Sequence, residues 1–235
     1  IEVLEGYGLT ETCVATNVNR TGDVRVGTVG PVLAPDIEVR IAEDGEILFR
    51  GPNIARGYFQ RKTATRQAWD DDGWFHTGDL GALDSDGFLS ITGRKKELIV
   101  MANGKKVPPD TVEQKVKSSL YISQVVVCGE GKPYCVALVT LQEEMIRKWA
   151  ARQGIPADTA SHRDPGGIAL IEQEVERVNK TLASYETIKR IKILPEDFTV
   201  DNGFLTPTFK VRRPNIMKRY GDLVEELYKD PSGSR

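Results

Sequence analysis

The chain has 235 residues, of which 40% are hydrophobic and 28% are charged, and its net charge is −2. This length suffices for one large domain or two small ones, and the composition is that of an ordinary globular protein. The near balance of charge argues against a nucleic-acid-binding protein. No apolar run approaches the about 20 residues of a membrane-spanning helix, and the first residues do not form a secretory signal.

The chain begins without methionine, directly on the strand-like residues 1–4, so we expect it to be part of a larger protein. Its three cysteines form no Cys-x-x-Cys pair, and Cys128 and Cys135 lie in apolar, strand-like runs. We predict buried free thiols in a reducing compartment such as the cytoplasm, rather than a metal site.

A first motif occupies residues 5–12, with the sequence E-G-Y-G-L-T-E-T. Glycines such as Gly6 allow a sharp turn with exposed backbone amides. Tyr7 could stack on a base, Thr10 offers a hydroxyl to a phosphate oxygen, and the carboxylate of Glu11 suits Mg²⁺. A match this short is more often a plain turn, so its meaning depends on the motifs that follow.

Residues 24–50 predict short strands joined by turns. Ile37, Val39 and Ile41 alternate with charged neighbours, and the apolar residues 47–49 follow a turn. This pattern favours an antiparallel hairpin within a small barrel or sheet.

A short helix is predicted over residues 62–69, followed by three consecutive aspartates at 70–72. We interpret these aspartates as a solvated helix end and turn rather than a calcium site. The later turn at 84–87 does not fit an EF-hand loop, because the first loop position would be Ala82 and the twelfth Gly93.

The central motif covers residues 76–106 and begins H-T-G-D-L. Asp79 is predicted to lie in a turn where Gly78 lets the backbone bend and leaves the carboxylate reachable. A carboxylate presented in this way can accept two hydrogen bonds from the cis-diol of a ribose. A hairpin and a strand then lead to residues 93–96, Gly-Arg-Lys-Lys, which we predict to be a flexible joint carrying three cations.

From residue 108 onward the pattern predicts a compact α+β module. We expect helices over 108–120, 143–152, 168–182 and 215–228, and strands at 125–127, 136–139 and 188–193, with a hairpin turn at 129–133 and a polar loop at 154–167 that contains a solvated His162. The turn at 129–133 is not a phosphate loop, because no Ser or Thr follows its lysine and Pro133 removes an amide donor. The fold class is α+β, with a domain boundary that separates residues 1–92 from 93–235.

A third motif, L-T-P-T-F-K-V-R-R, occupies residues 205–213 and has Lys210 at its centre. By itself, a lysine in such a hairpin or loop is usually a solvated surface charge.

The three motifs, in this order, resemble those of the acyl-adenylate-forming enzymes, in particular the long-chain fatty acyl-CoA synthetases. The resemblance covers essentially the whole chain. It implies that residues 1–92 close a large N-terminal domain with an antiparallel β-barrel-like subdomain, and that 93–235 form a mobile C-terminal domain. It also implies two steps: a fatty acid and ATP give acyl-AMP and pyrophosphate, and CoA then gives the thioester.

The resemblance assigns a role to each candidate residue. Catalysis falls to Lys210, Thr10 and Glu11, and Glu11 is also the Mg²⁺ ligand. Binding of the nucleotide and of CoA falls to Gly6, Tyr7, Asp79, Arg94 and Gly104. Lys96 takes the hinge position, so that residues 97–107 can replace Lys210 at the site. Many members have glycine where Phe209 stands, but L-T-P-T-x-K resembles the form found in long-chain synthetases.

The family's phosphate loop and most of its acyl pocket lie upstream in relatives, so we expect the fragment alone to be inactive. Fatty acid, ATP and CoA are the implied partners, together with a peripheral membrane contact through the upstream region. Two alternatives remain open. One is an adenylating enzyme for another acid or acceptor, and the other is a non-catalytic nucleotide-binding module.

Overall fold

The computed structural model describes residues 1–155 and 164–229, so the predicted solvation of His162 lies outside the described residues. The chain divides into two units, the first ending at Glu97 and the second beginning at Leu98. The predicted boundary between residues 92 and 93 falls inside a strand, Leu89–Arg94, of the first unit.

Short strands dominate the first unit. Its elements are β1 (Gly6–Tyr7), β2 (Asn17–Val18), β3 (Glu38–Ile41), β4 (Glu46–Arg50), α1 (Lys62–Ala68), β5 (Phe75–Leu83) and β6 (Leu89–Arg94), with 3₁₀ helices at Thr10–Thr12 and Lys95–Glu97. Strands β3 to β6 form one antiparallel sheet in chain order, and β1 pairs with β2. The predicted hairpin is confirmed, because β3 and β4 pair in antiparallel register.

Two strand predictions in the first unit are wrong. Residues 1–5 are irregular and the first strand is Gly6–Tyr7, while residues 24–36 contain no strand. The backbone of 24–36 is held instead by turns and by buried asparagines. The side-chain amide of Asn19, for example, donates to the carbonyl of Thr28 at 2.7 Å. A side chain that bonds the backbone in this way replaces the ladder of a strand.

The second unit alternates helices and strands. Its elements are β7 (Ile99–Val100), β8 (Lys106–Val107), α2 (Pro109–Lys117), β9 (Ile122–Cys128), β10 (Cys135–Leu141), α3 (Glu143–Arg152), α4 (Pro165–Asn179), β11 (Ile188–Ile193) and α5 (Arg213–Lys229). β10 is the middle strand of a sheet, antiparallel to β9 and parallel to β11. The predicted hairpin turn between β9 and β10 is confirmed. The helices and strands of the chain also confirm the α+β class.

The sheet of the second unit is covered on both faces. Alternate residues of β10 point to opposite sides. Cys135, Ala137 and Val139 belong to the buried cluster formed with α2, α3 and α4, and Val136 and Leu138 belong to the cluster formed with α5. A fully buried Val or Leu side chain, such as that of Val136 or Leu138, contributes about 1.5–3 kcal/mol to the stability of the fold. The sheet can therefore support a core of its own.

Helix α4 begins earlier than predicted. The sequence suggested a loop up to residue 167, but the helix starts at Pro165. The carboxylate of Asp164 caps it by accepting a hydrogen bond from the Gly167 amide at 2.6 Å. Proline suits this first helical position because its missing amide hydrogen would be unpaired there anyway.

The cysteine prediction is confirmed for Cys128 and Cys135, which are buried free thiols, whereas Cys13 is exposed. Burial raises the pKa of both buried thiols to about 11, so they stay protonated at neutral pH. Over the described ranges, none of the helices has the length and apolar character needed to cross a membrane.

A buried, hydrogen-bonded pair, Glu113 and Arg213, joins three elements of the second unit. Glu113 on α2 accepts hydrogen bonds from the Val127 amide of β9, at 2.6 Å, and from the Arg213 guanidinium at the start of α5. Arg213 also donates to the Val127 carbonyl at 2.9 Å. Burial, which outweighs the attraction of Arg213, raises the pKa of Glu113 to about 7.

This raised pKa predicts how stability depends on pH. The folded state keeps the Glu113 proton up to about pH 7, whereas the unfolded chain loses it near 4.5. The protonated Glu113 therefore adds up to about 3 kcal/mol to the free energy of unfolding. This contribution is complete below pH 4.5 and is lost as the pH rises to 7. We expect Glu113→Gln to remove this slope when urea unfolding of the chain is measured between pH 5 and 8.

The matched control is Glu144→Gln, which removes an exposed carboxylate paired with Lys148 one helical turn away. It should keep the wild-type slope. Equal slopes in all three proteins would show that Glu113 ionises normally in the fold.

Candidate active site

The first unit brings three predicted residues together around one carboxylate. Asp79 is only 5% exposed at its side chain, and Arg94 Nε lies 3.0 Å from its Oδ1. The Tyr7 hydroxyl donates to its Oδ2 at 2.5 Å. Burial and this carboxylate raise the pKa of Tyr7 far above its ordinary value, so the phenol remains a donor. Tyr7 supplies a hydrogen bond and Arg94 an opposite charge, which are the partners that a buried carboxylate requires.

Asp79 lies on a strand, not in the predicted turn. It belongs to β5 and pairs in register with Arg94 of β6. Between the pairs Leu48–His76 and Glu46–Leu80, the three residues 77–79 lie opposite one residue of β4, which makes a bulge. Gly78 has φ +74° there, a left-handed conformation that favours glycine.

A second buried carboxylate supports this bulge. Glu46 of β4 accepts the Gly78 amide at 2.8 Å through Oε1, while Oε2 lies 2.9 Å from Lys95 Nζ and 3.1 Å from His76 Nδ1. Burial acts to raise the pKa of Glu46, but these hydrogen bonds outweigh it, so the pKa lies below its ordinary value. Glu46 is therefore ionised at neutral pH.

The first motif forms a strand followed by a tight turn. Gly6 and Tyr7 are extended, and the turn comes later, around the 3₁₀ helix Thr10–Thr12. Thr12 closes that turn: its hydroxyl oxygen accepts from the Leu9 amide at 2.8 Å and donates to the Leu9 carbonyl at 3.0 Å. Thr10 remains exposed.

The loop after β4 braces this turn. The Ala55 amide donates to the Glu11 carbonyl at 2.7 Å, and the side-chain amide of Asn53 donates to the Thr12 carbonyl at 3.1 Å. The Tyr58 hydroxyl donates to Glu11 Oε1 at 2.7 Å, and this bond raises the pKa of Tyr58. Two of these contacts hold Glu11, one at its backbone carbonyl and one at its carboxylate, and the third holds Thr12.

The predicted flexible joint at residues 93–96 is structured over most of its length. Gly93 and Arg94 belong to β6, and Lys95 and Lys96 begin the 3₁₀ helix Lys95–Glu97. Lys95 pairs with Asp44 at 2.6 Å as well as with Glu46, whereas Lys96 is exposed. Only Arg94 of the three cations therefore contacts the proposed ribose carboxylate.

Lys210 lies in the second unit, at the tip of a narrow hairpin bridged by Leu205 and Val211. Thr206 holds the tip: its amide donates to the Lys210 carbonyl at 2.8 Å, and its hydroxyl oxygen accepts the Lys210 amide at 3.0 Å. Phe209 has φ +60° and an exposed ring. The Lys210 side chain is exposed.

Gly104 lies in the turn that joins β7 to β8, where its amide donates to the Met101 carbonyl at 2.8 Å. The neighbouring hairpin turn supports this segment. The Gly131 amide donates to the Val100 carbonyl at 2.8 Å, and the Ala102 amide donates to the Lys132 carbonyl at 3.0 Å.

Within the first unit, therefore, the predicted residues Tyr7, Asp79 and Arg94 share one cluster. Thr10 and Glu11 lie on the braced turn, and Gly104 and Lys210 lie on two turns of the second unit. Sequence reasoning missed Glu46, Lys95 and Tyr58. The sequence offered one indication for Glu46: a glutamate directly precedes the apolar residues 47–49, where a strand is predicted.

Comparison with known proteins then decides the family. Residues 96–232 match the profile described as "AMP-binding enzyme C-terminal domain", which is more than half of the chain. Residues 1–59 match the profile described as "AMP-binding enzyme". The chain belongs to the AMP-binding enzyme family. Its second unit corresponds to the family's C-terminal domain.

Individual proteins show the same relationship. The chain is 43% identical, over 97% of its length, to the long-chain-fatty-acid–CoA ligase FadD15 of Mycobacterium bovis, and this match spans 38% of that protein. It is 34% identical to the human long-chain-fatty-acid–CoA ligase 6, again over 97% of this chain and 35% of the relative. The chain thus spans little more than a third of the relatives it matches.

Among solved structures, the fold is similar to the adenylation domain of a carboxylate reductase from Mycobacterium chelonae. The TM-score is 0.75 at 25% identity, covering 97% of this chain and 35% of the other. The covered residues include both units of the chain.

The turn of the first motif predicts an unusual sensitivity to side-chain size. A Cβ on Gly8 would lie 1.3 Å from the Val14 carbonyl oxygen, so the backbone would have to move. We expect Gly8→Ala to lower the free energy of unfolding by about 2–4 kcal/mol. Urea unfolding of the chain measures this change.

Gly22→Ala is the matched control, because Gly22 has φ +79° but no neighbouring atom within 4 Å of the position that an alanine Cβ would take. It should cost only about 1 kcal/mol of backbone strain. A similar loss in both variants would mean that the close approach at Gly8 relaxes without cost.

Proposed function

We propose that the protein containing this chain is an ATP-dependent, AMP-forming ligase that joins a long-chain fatty acid to CoA. The observation that carries the proposal is the Tyr7–Asp79–Arg94 cluster. It presents an aromatic ring, a buried carboxylate and a guanidinium in one place, within a chain of the AMP-binding enzyme family. The ligase relatives supply the acid and the acceptor.

The cluster fits the ribose and base of a nucleotide. Each oxygen of a carboxylate can accept more than one hydrogen bond, so Asp79 can take a ribose diol alongside Tyr7 and Arg94. The Tyr7 ring is held by its hydroxyl and by Phe49, whose ring centroid lies 6.1 Å away. A ring fixed in one orientation loses little entropy when adenine stacks on it. Gly6, beside it in β1, would contribute to nucleotide binding through its backbone.

The turn at Thr10 and Glu11 fits the phosphate end. Tyr58 binds Oε1 of Glu11, which leaves Oε2 as the oxygen to face a cation. Among the described residues no cluster of three or more His, Cys, Asp or Glu could hold a metal by itself. Mg²⁺ prefers oxygen ligands and keeps several waters, so the Glu11 carboxylate would suit it, and the ion would neutralise phosphate charge when bound. The exposed Thr10 hydroxyl would donate to a phosphate oxygen.

The second unit would serve the two steps in turn. We propose that residues 1–92 close the large domain with its barrel-like subdomain, and that 93–235 swing about Lys96. Lys210 would stabilise the negative charge that develops when the fatty-acid carboxylate attacks the α-phosphate. After the swing, residues 97–107 with Gly104 would admit CoA, whose thiol attacks the acyl carbon and releases AMP.

Two further expectations belong to this proposal. We propose that the protein works in a reducing compartment, the cytoplasm, and the buried free thiols Cys128 and Cys135 support this proposal. A peripheral membrane contact through an upstream region stays a prediction.

A second candidate is adenylation of a different acid or transfer to a different acceptor. The similarity to the adenylation domain of a carboxylate reductase favours it. The proposed nucleotide cluster would serve either activity, because adenylation precedes both transfers.

The ribose assignment predicts a loss of nucleotide affinity. We consider a hybrid enzyme in which this chain replaces the matched segment of the Mycobacterium bovis relative. Asp79→Ala should weaken its binding of AMP by about 2–4 kcal/mol, because charge-assisted hydrogen bonds are lost and Arg94 is left unpaired. Equilibrium titration with AMP measures this. Asp86→Ala, which removes an exposed carboxylate paired with Arg25, should leave the affinity unchanged. Unaltered binding in Asp79→Ala would make Asp79 a structural residue only.

The alternation of Lys210 and residues 97–107 predicts that two substitutions separate the two steps. In the hybrid, Lys210→Ala should slow acyl-AMP formation by about 10²–10³-fold yet convert supplied acyl-AMP and CoA at a near-normal rate. Lys96→Pro should do the reverse, because proline fixes a dihedral angle that a hinge must change. Fatty-acid-dependent pyrophosphate exchange and thioester formation are assayed separately.

Lys218→Ala, an exposed lysine of α5, is the matched control and should affect neither step. The 235-residue chain alone should give no exchange. Equal losses in both steps for both variants would rule out the alternation. A hybrid that adenylates fatty acids but transfers them to another acceptor would favour the second candidate function.

A further inference from the structure

Glu46 is a charged side chain in a place where the sheet offers it little water. It stands at the start of β4, its side chain is 6% exposed, and it is ionised at neutral pH. A buried carboxylate of this kind is retained only if its oxygens are bound. Its partners come from two segments that flank Asp79 and Arg94.

The first partner is the backbone of the β5 bulge. A bulge removes ladder hydrogen bonds, so the Gly78 amide needs another acceptor. Glu46 Oε1 provides it at 2.8 Å. Because Gly78 directly precedes Asp79, this bond determines where the β5 backbone presents the Asp79 carboxylate.

The second partner is Lys95, which directly follows Arg94. Its ammonium lies 2.9 Å from Glu46 Oε2 and 2.6 Å from Asp44 Oδ2, and these two contacts raise the pKa of Lys95. The buried end of this bridge is less screened by solvent than the exposed Asp44 end. Lys95 also directly precedes Lys96, so the residue before the proposed pivot is fixed to β4.

Two further groups complete the surroundings of Glu46. His76 Nδ1 lies 3.1 Å from Oε2, and His76 Nε2 lies 3.6 Å from an oxygen of Asp70. These contacts orient the imidazole between two carboxylates. Glu46 therefore contacts both the beginning of β5, through His76, and its bulge, through the Gly78 amide.

We propose that Glu46 is a positioning residue that fixes both the ribose-binding carboxylate Asp79 and the near side of the Lys96 pivot to strand β4. The inference rests on the proposed function in taking Asp79 as the ribose contact and Lys96 as the pivot. The Gly78 arm sets nucleotide affinity, and the Lys95 arm makes Lys96 the first residue that can rotate.

The two arms can be separated by substitution. Glu46→Ala removes both, Glu46→Gln keeps an oxygen for the Gly78 amide but loses the charge that holds Lys95, and Lys95→Met removes only the second arm. Lys95→Arg keeps the charge and should restore that arm. Glu38→Gln, which breaks an exposed pair with Arg50 in the same sheet, is the matched control.

The first measurement uses the 235-residue chain and needs no activity. Amide exchange of Gly78 should become at least about tenfold faster in Glu46→Ala, and should stay within about twofold of wild type in Lys95→Met and Glu38→Gln. The backbone order parameters of Lys96 and Glu97, from nitrogen-15 relaxation, should fall in Lys95→Met and Glu46→Gln and recover in Lys95→Arg. If Glu46→Ala does not fold, the order parameters of the other variants still decide the pivot arm.

The second measurement uses the hybrid enzyme. AMP affinity should fall about tenfold in Glu46→Ala and remain unchanged in Lys95→Met. The ratio of the two half-reaction rates should change at least about fivefold in Lys95→Met and return towards wild type in Lys95→Arg. A merely structural role would lower both rates together and leave this ratio intact.

Unchanged Gly78 exchange in folded Glu46→Ala would overturn the first arm, and unchanged order at Lys96 in Lys95→Met would overturn the second. An inactive wild-type hybrid would count against the proposed function instead, since exchange and relaxation in the chain still test the two arms.

Discussion

The first unit depends on the pairing of one buried carboxylate. Asp79 is ionisable and almost wholly removed from water, and such a group persists only with bound partners. Tyr7 comes from β1 and Arg94 from β6. Pairing of this carboxylate therefore joins distant parts of the sequence, because Tyr7 precedes Asp79 by 72 residues. The bulge of β5 lies directly before Leu80 and shifts the register of the strand at Asp79. Electrostatic need, more than apolar packing, therefore shapes this site.

The second unit solves a different problem. Its sheet is apolar on both faces. Among the described residues of this unit, Glu113 has the one deeply buried carboxyl group, which accepts a hydrogen bond from Arg213. Arg213 lies only three residues after Lys210. The base of the Lys210 hairpin is thereby tied to α2 and β9, while the Lys210 side chain remains exposed. The second unit therefore presents the exposed Lys210 ammonium close to a backbone segment that is fixed by hydrogen bonds.

Local pattern predicted the elements well and the contacts less well. The β9–β10 hairpin and the hairpin of β3 and β4 follow from periodicity that the sequence displays. The strand position of Asp79 and the roles of Glu46 and Lys95 do not, because a bulge changes register without any change in composition. Long-range ion pairs such as Lys95–Glu46 depend on that register. The motifs identified Tyr7, Asp79 and Arg94, but the scaffold beneath them came only from the fold.

At position 209, substitution of phenylalanine by glycine and substitution of glycine by phenylalanine should have unequal effects on stability. The backbone of Phe209 has φ +60° and its ring is 74% exposed, so glycine could replace it with relief of strain and little loss of burial. A relative with glycine at this place would gain phenylalanine only by accepting that strain. Drift among such proteins should therefore run more readily towards glycine, and a lineage that keeps the aromatic ring beside its lysine must be held there by something other than the stability of the hairpin.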